Sequence, residues 1–211
     1  MYTVAVLISG SGSNLQALFD AQDAGGLGGA EVSLVISDRG DAYGLQRALS
    51  RGVAAAHVPL PAAPSGSARH AARAAWEQRL ARVVAAFTPD LVVLAGFMRI
   101  LSPDFLQHFS NRVINLHPAL LPADGGDTVV TSSGLIIPAL RGAHVVTDAM
   151  RLGMPVTGCT IHRVTPRVDD GPILASAEIP VLPDDDDASL HERIKAHERR
   201  MIVQVVRDLA T

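Results

Sequence analysis

The sequence has little of what marks secreted, membrane or nucleic-acid-binding proteins. Its single cysteine, Cys159, excludes an internal disulfide and fits a reducing cytoplasm. Lysine and arginine total 18 against 21 aspartate and glutamate residues, so there is no basic excess for binding nucleic acid. No apolar run is long enough to span a membrane, and the N-terminus lacks the basic region and cleavage site of a signal peptide. These absences predict a cytoplasmic protein without nucleic-acid or membrane partners.

What the chain does contain is an alternation of short β-branched runs and longer segments of helical period. With 211 residues and 48% hydrophobic content, it suits one globular domain over residues 1–211. The alternation predicts an α/β fold: an open, mostly parallel, twisted sheet with right-handed crossovers and helices on both faces. Two late segments, "VTGCTIHRV" and "ILASAEIPV", predict an antiparallel pair at one edge. The stretch Pro59–Ala68 predicts an exposed loop.

The loop "SGSGSNLQA" connects the first predicted strand to the first predicted helix. Gly10 and Gly12 permit positive φ angles and close backbone approach, and Ser13 or Asn14 is predicted to cap the helix. The exposed N–H groups of such a turn favour an anion, typically phosphate. No Gly-Lys-Ser/Thr follows, and Leu15 stands where a dinucleotide fingerprint needs glycine. From the residues alone, phosphate binding and an ordinary βα turn are equally open.

The segment "RVINLHPALLP" predicts a buried strand that ends on two polar side chains. Because alternate residues share a face, Asn115 and His117 should point the same way at the strand's carboxyl end, where ligands bind in open α/β sheets. Taken alone, they are better explained as a hydrogen-bonded polar pair that closes a strand. The segment "VDDGPIL" adds Asp169 and Asp170, although aspartate before glycine is also common in turns. An amide, an imidazole and a carboxylate together suit acyl transfer without a protein nucleophile.

Other chemistries are less well supported. The sequence lacks the G-x-S-x-G elbow of serine hydrolases. Cys159 lies in an apolar strand pattern, which predicts a buried, unreactive thiol. The eight histidines show no metal-ligand spacing, so no metal is expected.

Five segments, in order along the chain, resemble one known family. They are "VLISGSGSNLQA", "DLVVLAGFMRILSP", "INLHPALLP", "VTGCTIHRV" and "VDDGPIL". Together they resemble the phosphoribosylglycinamide formyltransferases, folate-dependent enzymes of purine biosynthesis with a Rossmann-like fold. The resemblance implies 10-formyltetrahydrofolate as co-substrate, N1-(5-phosphoribosyl)glycinamide (GAR) as formyl acceptor, and direct transfer without a metal. It also favours phosphate at the first loop.

The resemblance carries functional residues over to matching positions. It implies a catalytic trio of Asn115, His117 and Asp169, with His162 beside the active site. In the implied reaction, Asn115 and His117 stabilise a tetrahedral oxyanion, and Asp169 helps to relay a proton through water. The implied ligand contacts are Gly12, Ser13, Asn14, Lys195 and Glu198 for the phosphate and ribose, and Arg73, Met98, Arg99, Ile100, Leu101, Thr165, Pro166, Arg167 and Val168 for the folate.

The sequence departs from the family pattern after "HPALLPA". Residues Asp124–Arg141 form a connection far longer than the family's, and "TVVTSSGLIIP" within it predicts a β-hairpin. The simpler interpretation is a surface excursion, because loop insertions concentrate at exposed sites. The alternative is that the segment packs on a partner subunit or covers the substrate cleft. Pro166 and Arg167 are also unusual for their loop and predict altered folate affinity.

Three other functions compete with GAR formyl transfer. A formyltetrahydrofolate hydrolase shares the trio but usually carries an additional N-terminal domain. A methionyl-tRNA formyltransferase would need a basic surface and a C-terminal RNA-binding domain. A non-catalytic sugar-phosphate-binding module would not need the intact trio. The sequence leaves open whether the chain forms a homodimer.

Overall fold

The computed structural model describes residues 1–62 and 65–211, which form nine strands and six helices. The strands are β1 (Tyr2–Ile8), β2 (Ala30–Ser37), β3 (Ala54–His57), β4 (Leu91–Leu94), β5 (Val113–His117), β6 (Thr128–Val130), β7 (Ile136–Pro138), β8 (Val156–Arg163) and β9 (Ile173–Pro180). The helices are α1 (Ser13–Asp23), α2 (Tyr43–Ser50), α3 (Ser67–Ala85), α4 (Pro103–His108), α5 (Val145–Arg151) and α6 (Asp187–Ala210). None of the helices in these two ranges is long and apolar enough to cross a bilayer.

Seven of the strands form one sheet in the order β3-β2-β1-β4-β5-β8-β9. The first five are parallel to one another, whereas β8 runs antiparallel to β5 and β9 runs antiparallel to β8. The prediction of a mostly parallel α/β sheet with an antiparallel edge pair is therefore confirmed. The remaining strands, β6 and β7, pair antiparallel in a separate two-stranded sheet.

The central strand β1 is apolar almost throughout because helices cover both of its faces. Val4, Val6 and Ile8 pack against α1, α2 and α6 on one face of the sheet. Ala5 and Leu7 pack against α3 and α4 on the other face. Because helices cover both faces, successive residues of the strand are all buried. The two faces together form the core that holds the carboxyl ends of β1, β4 and β5 in fixed positions.

Two element boundaries depart from the sequence expectation. A fourth strand over Asp90–Gly96 is predicted, but β4 covers only Leu91–Leu94. Gly96 has a φ of +74°, which turns the chain out of the strand immediately before the segment at Met98–Leu101. The predicted loop at Pro59–Ala68 is also shorter, because Ser67 already begins α3. Residues 63 and 64 of that predicted loop lie outside the described residues.

Candidate active site

The predicted trio comes together at the carboxyl end of β5. The loop between β8 and β9 brings the Asp169 carboxylate beside both other members. Its Oδ1 lies 3.5 Å from Nδ2 of Asn115, and its Oδ2 lies 3.5 Å from Nδ1 of His117. His162 joins them because β8 pairs with β5 so that His162 lies opposite Asn115, with Nε2 3.3 Å from Asn115 Nδ2. The four polar side chains therefore form one connected cluster.

Backbone carbonyls determine where the protons lie on the two imidazole rings. His117 Nε2 lies 2.8 Å from the carbonyl oxygen of Leu140, and because a carbonyl only accepts, Nε2 is the donor. In the neutral ring, Nδ1 therefore presents its lone pair toward Asp169. His162 Nδ1 donates in the same way to the Arg163 carbonyl at 2.9 Å, which leaves Nε2 to accept from Asn115.

The surroundings of the cluster favour the ionised form of Asp169 and the neutral form of His117. Burial lowers the pKa of His117 below 6.5, and the charge of Asp169 offsets this only in part. Burial alone would raise the pKa of Asp169. The nearby ring of His162, the charge of His117 and the N–H of Gly142 together lower that pKa below 3.8. Near neutral pH the cluster thus holds an ionised carboxylate beside a neutral imidazole.

This arrangement can accept one proton and donate one hydrogen bond. A proton that arrives at Nδ1 of His117 is stabilised by the Asp169 carboxylate, while Nε2 keeps its bond to Leu140. The contact of Asn115 with Asp169 is long, and a substrate oxygen would replace it with a shorter one. Both nitrogens of His117 already face protein oxygens, so an oxyanion contact from His117 requires it to exchange one of them. The chemistry fits addition of a neutral amine to a carbonyl carbon.

A cavity of about 290 Å³ opens directly onto this cluster. The walls include the segment that follows β4 and the loop that carries Asp169. A second cavity, of about 570 Å³, adjoins it, since Met98–Leu101 lines both. Every residue predicted to contact folate lines one or both cavities: Arg73 and Pro166 the larger, Thr165, Arg167 and Val168 the smaller, and Met98, Arg99, Ile100 and Leu101 both.

Two side chains outside the predicted site, Ser9 and Asp38, fix the Met98–Leu101 segment. Ser9 Oγ accepts from the N–H of Met98 at 2.9 Å and donates to Asp38 at 2.6 Å. The buried Asp38 carboxylate also accepts from Nε of Arg99 at 2.6 Å. Asp38 comes directly after β2, so its place at the carboxyl edge of the sheet was a signal that could have identified it.

Helix α3 fixes the same segment from the other side. Arg73 donates through Nη2 to the carbonyl of Ile100. The buried Glu77 carboxylate accepts from Arg73 Nε at 3.3 Å and from the N–H of Ser102 at 3.2 Å. The segment that lines both cavities is therefore held by hydrogen bonds at each end.

The first loop has the shape of an anion site, but its cap differs from the prediction. Gly12, and neither Ser13 nor Asn14, is the N-cap of α1, with a φ of +71° and no side-chain capping bond. The loop lies against α2, since a Cβ at Gly12 would be 2.8 Å from the Cα of Gly44. A helix cannot pair its own first-turn N–H groups, and Gly12 has no side chain to cap them. These N–H groups of α1 are therefore open to an anion.

Helix α6 faces this loop with a carboxylate. Asn14 donates through Nδ2 to Oε2 of the buried Glu198 at 3.0 Å. Burial raises the pKa of Glu198, and the bond from Asn14 and the charge of Lys195 offset part of that rise. Lys195 lies one turn earlier on the helix, 4.0 Å from Glu192. The structure thus joins Gly12, Ser13, Asn14 and Glu198 at one end of α1, with Lys195 nearby.

Comparison with known proteins identifies relatives along nearly the whole chain. A family model described as formyl transferase matches residues 2–206. The phosphoribosylglycinamide formyltransferase of Mycobacterium tuberculosis is 42% identical over 99% of this chain and 85% of its own length. The same-named protein of Escherichia coli is 35% identical over 96% of this chain and 84% of its own length. The crystal structure of glycinamide ribonucleotide transformylase 1 from Symbiobacterium toebii is 40% identical, with a TM-score of 0.82 over all of this chain and 88% of that one.

Proposed function

Because this chain belongs to the phosphoribosylglycinamide formyltransferases of the formyl transferase family, we propose that it transfers a formyl group from 10-formyltetrahydrofolate to the primary amine of GAR. The relatives carry that activity in their names and match nearly the full length of the chain. The observation that carries the proposal is the cluster of Asn115, His117 and Asp169 beside a cavity that continues toward Arg73. The folate and the ribonucleotide would meet at this cluster, in the cytoplasm.

The two substrates would occupy different parts of the site. The ribonucleotide phosphate would bind the first-turn N–H groups of α1 at Gly12, Ser13 and Asn14. Lys195 and Glu198 on α6 would contact the phosphoribosyl-glycinamide. The folate would lie along Met98–Leu101, with its pterin in the smaller cavity and its benzoyl-glutamate toward Arg73.

The reaction would proceed by direct attack of the amine on the formyl carbon. Asn115 would donate to the oxygen as it gains negative charge in the tetrahedral intermediate. The neutral His117 would take the amine proton at Nδ1, directly or through a water, with Asp169 stabilising the resulting imidazolium. The proton would then reach N10 of the departing folate, and His117 would become neutral again. Much of the rate would come from holding the two substrates together.

Folate turnover measured with and without GAR tests this proposal. The assay would follow loss of the formyl group from 10-formyltetrahydrofolate, or from its dideaza analogue, by absorbance. Turnover that depends on GAR is the expected result. Turnover without GAR would identify a hydrolase. Binding of GAR without any turnover would identify a sugar-phosphate-binding module and overturn the proposed transfer.

A further inference from the structure

The segment 124–141, which the sequence marks as an insertion, forms a β-hairpin on the surface that packs against the body of the protein through Ile137. Its strands β6 and β7 pair from Thr128 opposite Pro138 to Val130 opposite Ile136. Ile137 is only 4% exposed and packs in one apolar cluster with Leu120, Ala149 and Met154. The hairpin therefore has its own apolar contact with the body of the protein.

The turn of the hairpin is fastened to the edge strand of the large sheet. The N–H and Oγ of Ser132 both donate to the carboxylate of Glu178 on β9, at 2.5 and 2.7 Å. Thr131, beside it, is buried and accepts through Oγ1 from the N–H of Leu135 at 3.0 Å. The turn of the hairpin is thus fixed to β9, while the start and end of the segment lie next to the loop that carries Asp169.

Arg141, the last residue of the segment, contacts both the start of the segment and the Asp169 loop. Its Nη2 donates to the carbonyls of Gly126 at 2.7 Å and Gly125 at 3.3 Å. Both glycines lie near the start of the segment. Its Nε donates to the main-chain carbonyl of Asp169 at 3.3 Å. Its ion pair with Asp127 is long, 3.8 Å, and the Asp127 side chain is fully exposed. The guanidinium therefore acts mainly as a fork of donors to three backbone carbonyls.

The residue that Arg141 holds adopts an unusual backbone conformation. Asp169 has a φ of +51°, in the left-handed region that non-glycine residues rarely adopt unless their surroundings enforce it. Arg141 holds the Asp169 carbonyl, while the N–H of the next residue, Gly142, donates to Oδ2 of the Asp169 carboxylate at 2.9 Å. Two consecutive residues thus fix both the backbone and the side chain of Asp169.

A second contact brings the segment against the same loop. A Cβ at Gly125 would lie 2.3 Å from Oδ1 of Asp170, so the Gly125 backbone lies directly against that side chain. The carbonyl of Leu140, the residue before Arg141, accepts from Nε2 of His117. The end of the segment therefore touches both the acid and the base of the cluster.

We propose that Arg141 is a positioning residue: it ties the Asp169 loop to both ends of the 124–141 hairpin and so orients the Asp169 carboxylate toward His117. This proposal rests on the proposed function, since it assigns Arg141 a part in that reaction. It predicts that loss of the guanidinium lowers turnover without weakening substrate binding.

The test compares Arg141→Met and Arg141→Lys with Arg151→Met, which removes an exposed arginine from the neighbouring helix α5. Arg141→Met should lower kcat about 10- to 100-fold, as expected when a reacting group is slightly misplaced, with KM for both substrates nearly unchanged. Arg141→Lys should recover little, because one ammonium cannot reproduce the fork of donors. Arg151→Met should match the wild type. An unchanged kcat, or a loss confined to KM, overturns the proposal.

Chemical rescue separates positioning from a general loss of stability. In Arg141→Ala, a few millimolar guanidinium should restore part of kcat relative to the same concentration of sodium chloride. A variant that is merely destabilised would gain nothing over sodium chloride, because a few millimolar guanidinium is far too little to change the free energy of unfolding. Equal rates in the two salts contradict a positioning role for Arg141.

Hydrogen exchange tests the same contact without measuring turnover. The amides of residues 165–171 should exchange faster in Arg141→Met than in Arg151→Met or the wild type. Faster exchange in a protein that never transfers formyl would support the role of Arg141 in holding the Asp169 loop but refute the proposed function. Equal exchange in all three proteins would refute that role of Arg141, whatever the activity.

Discussion

At the scale of single residues, the cluster owes its chemistry to hydrogen bonds that fix each ring. Leu140 holds one nitrogen of His117, so that only Nδ1 remains to exchange a proton beside Asp169. Arg163 fixes His162 in the tautomer that accepts from Asn115. The strand pattern predicted that Asn115 and His117 share a face, and the resemblance to the family added Asp169 to them. The sequence could not predict which carbonyls orient the rings, since those belong to distant backbone segments.

Replacing His117 with alanine should separate catalysis from binding. The substitution removes the proposed proton acceptor and touches neither Gly12 nor Lys195, so the rate of transfer should fall about 10²- to 10⁴-fold. Affinity for GAR, measured by titration calorimetry, should stay nearly unchanged. His57→Ala, at the exposed end of β3, is the matched control and should leave both quantities intact. Equal losses of affinity and rate in His117→Ala would instead indicate a structural role.

The pH dependence of kcat reports the protonation of the same ring in the substrate complex. His117 must be neutral to accept a proton, and burial lowers its pKa, so the neutral form persists to lower pH than for an exposed histidine. Because kcat falls only when the ring becomes charged, its acidic limb should have a midpoint below 6.5. Rates at saturating concentrations of both substrates would measure it. A midpoint above 6.5 would mean that the proposed base is wrong.

At the scale of elements, the loop between β1 and α1 depends on a glycine contact between two helices. Gly12 caps α1 in a left-handed conformation and lies against Gly44 of α2. The N–H of Gly44 also donates to the Gly10 carbonyl at 3.2 Å. The glycines of the loop were visible in the sequence, but the contact with Gly44 was not, because residues 32 positions apart meet only through the fold.

Gly12→Ala should therefore damage the loop more than backbone strain alone would. The alanine must keep a positive φ, which costs about 1 to 3 kcal/mol, and its Cβ also meets the Cα of Gly44. The matched control is Gly25→Ala, which has a φ of +68° but nothing within 4 Å of the added Cβ. Both variants should melt at lower temperature, but only Gly12→Ala should raise KM for GAR. An equal effect on KM in the two variants would refute phosphate binding at this loop.

At the scale of the whole molecule, the fold was more predictable than the site. The alternation of runs such as "TVAVLIS" and "EVSLVIS" with helical segments gave the layers, because covered parallel strands are apolar throughout. The joining of β8 to β5 was not predictable from the residues, and it brings His162 opposite Asn115. The six-residue helix α4 also escaped prediction, since it is too short to show a period.

Helix α6 closes the chain against α1 and places a carboxylate in the interior. Glu198 lies 184 positions from its partner Asn14, and its burial raises its pKa above 4.5. A raised pKa in the folded state means that the neutral acid stabilises the fold at low pH. That stability is lost as pH rises through the folded pKa. Ionisation of Glu198 in the folded protein therefore lowers the free energy of unfolding.

Glu198→Gln should therefore raise the melting temperature at neutral pH. The amide stays neutral, and its oxygen can still accept from Asn14. The stability that the fold loses when glutamate ionises is therefore kept. The gain over the wild type should grow as pH rises from about 4, where glutamate is itself largely protonated. Thermal melts across that range would measure it. A gain that is independent of pH, or a lower melting temperature at neutral pH, would contradict a buried ionised carboxylate.

The central claim is that the formyl group passes to the ribonucleotide at the Asn115, His117 and Asp169 cluster. The most direct measurement follows ¹³C-labelled formyl from 10-formyltetrahydrofolate by NMR, in the presence of GAR, for the wild type and His117→Ala. The account predicts that the label appears as a formamide on the ribonucleotide amine, and that its appearance is slowed by orders of magnitude in the variant. Label that appears only as free formate, or arrives equally fast with the variant, would contradict it.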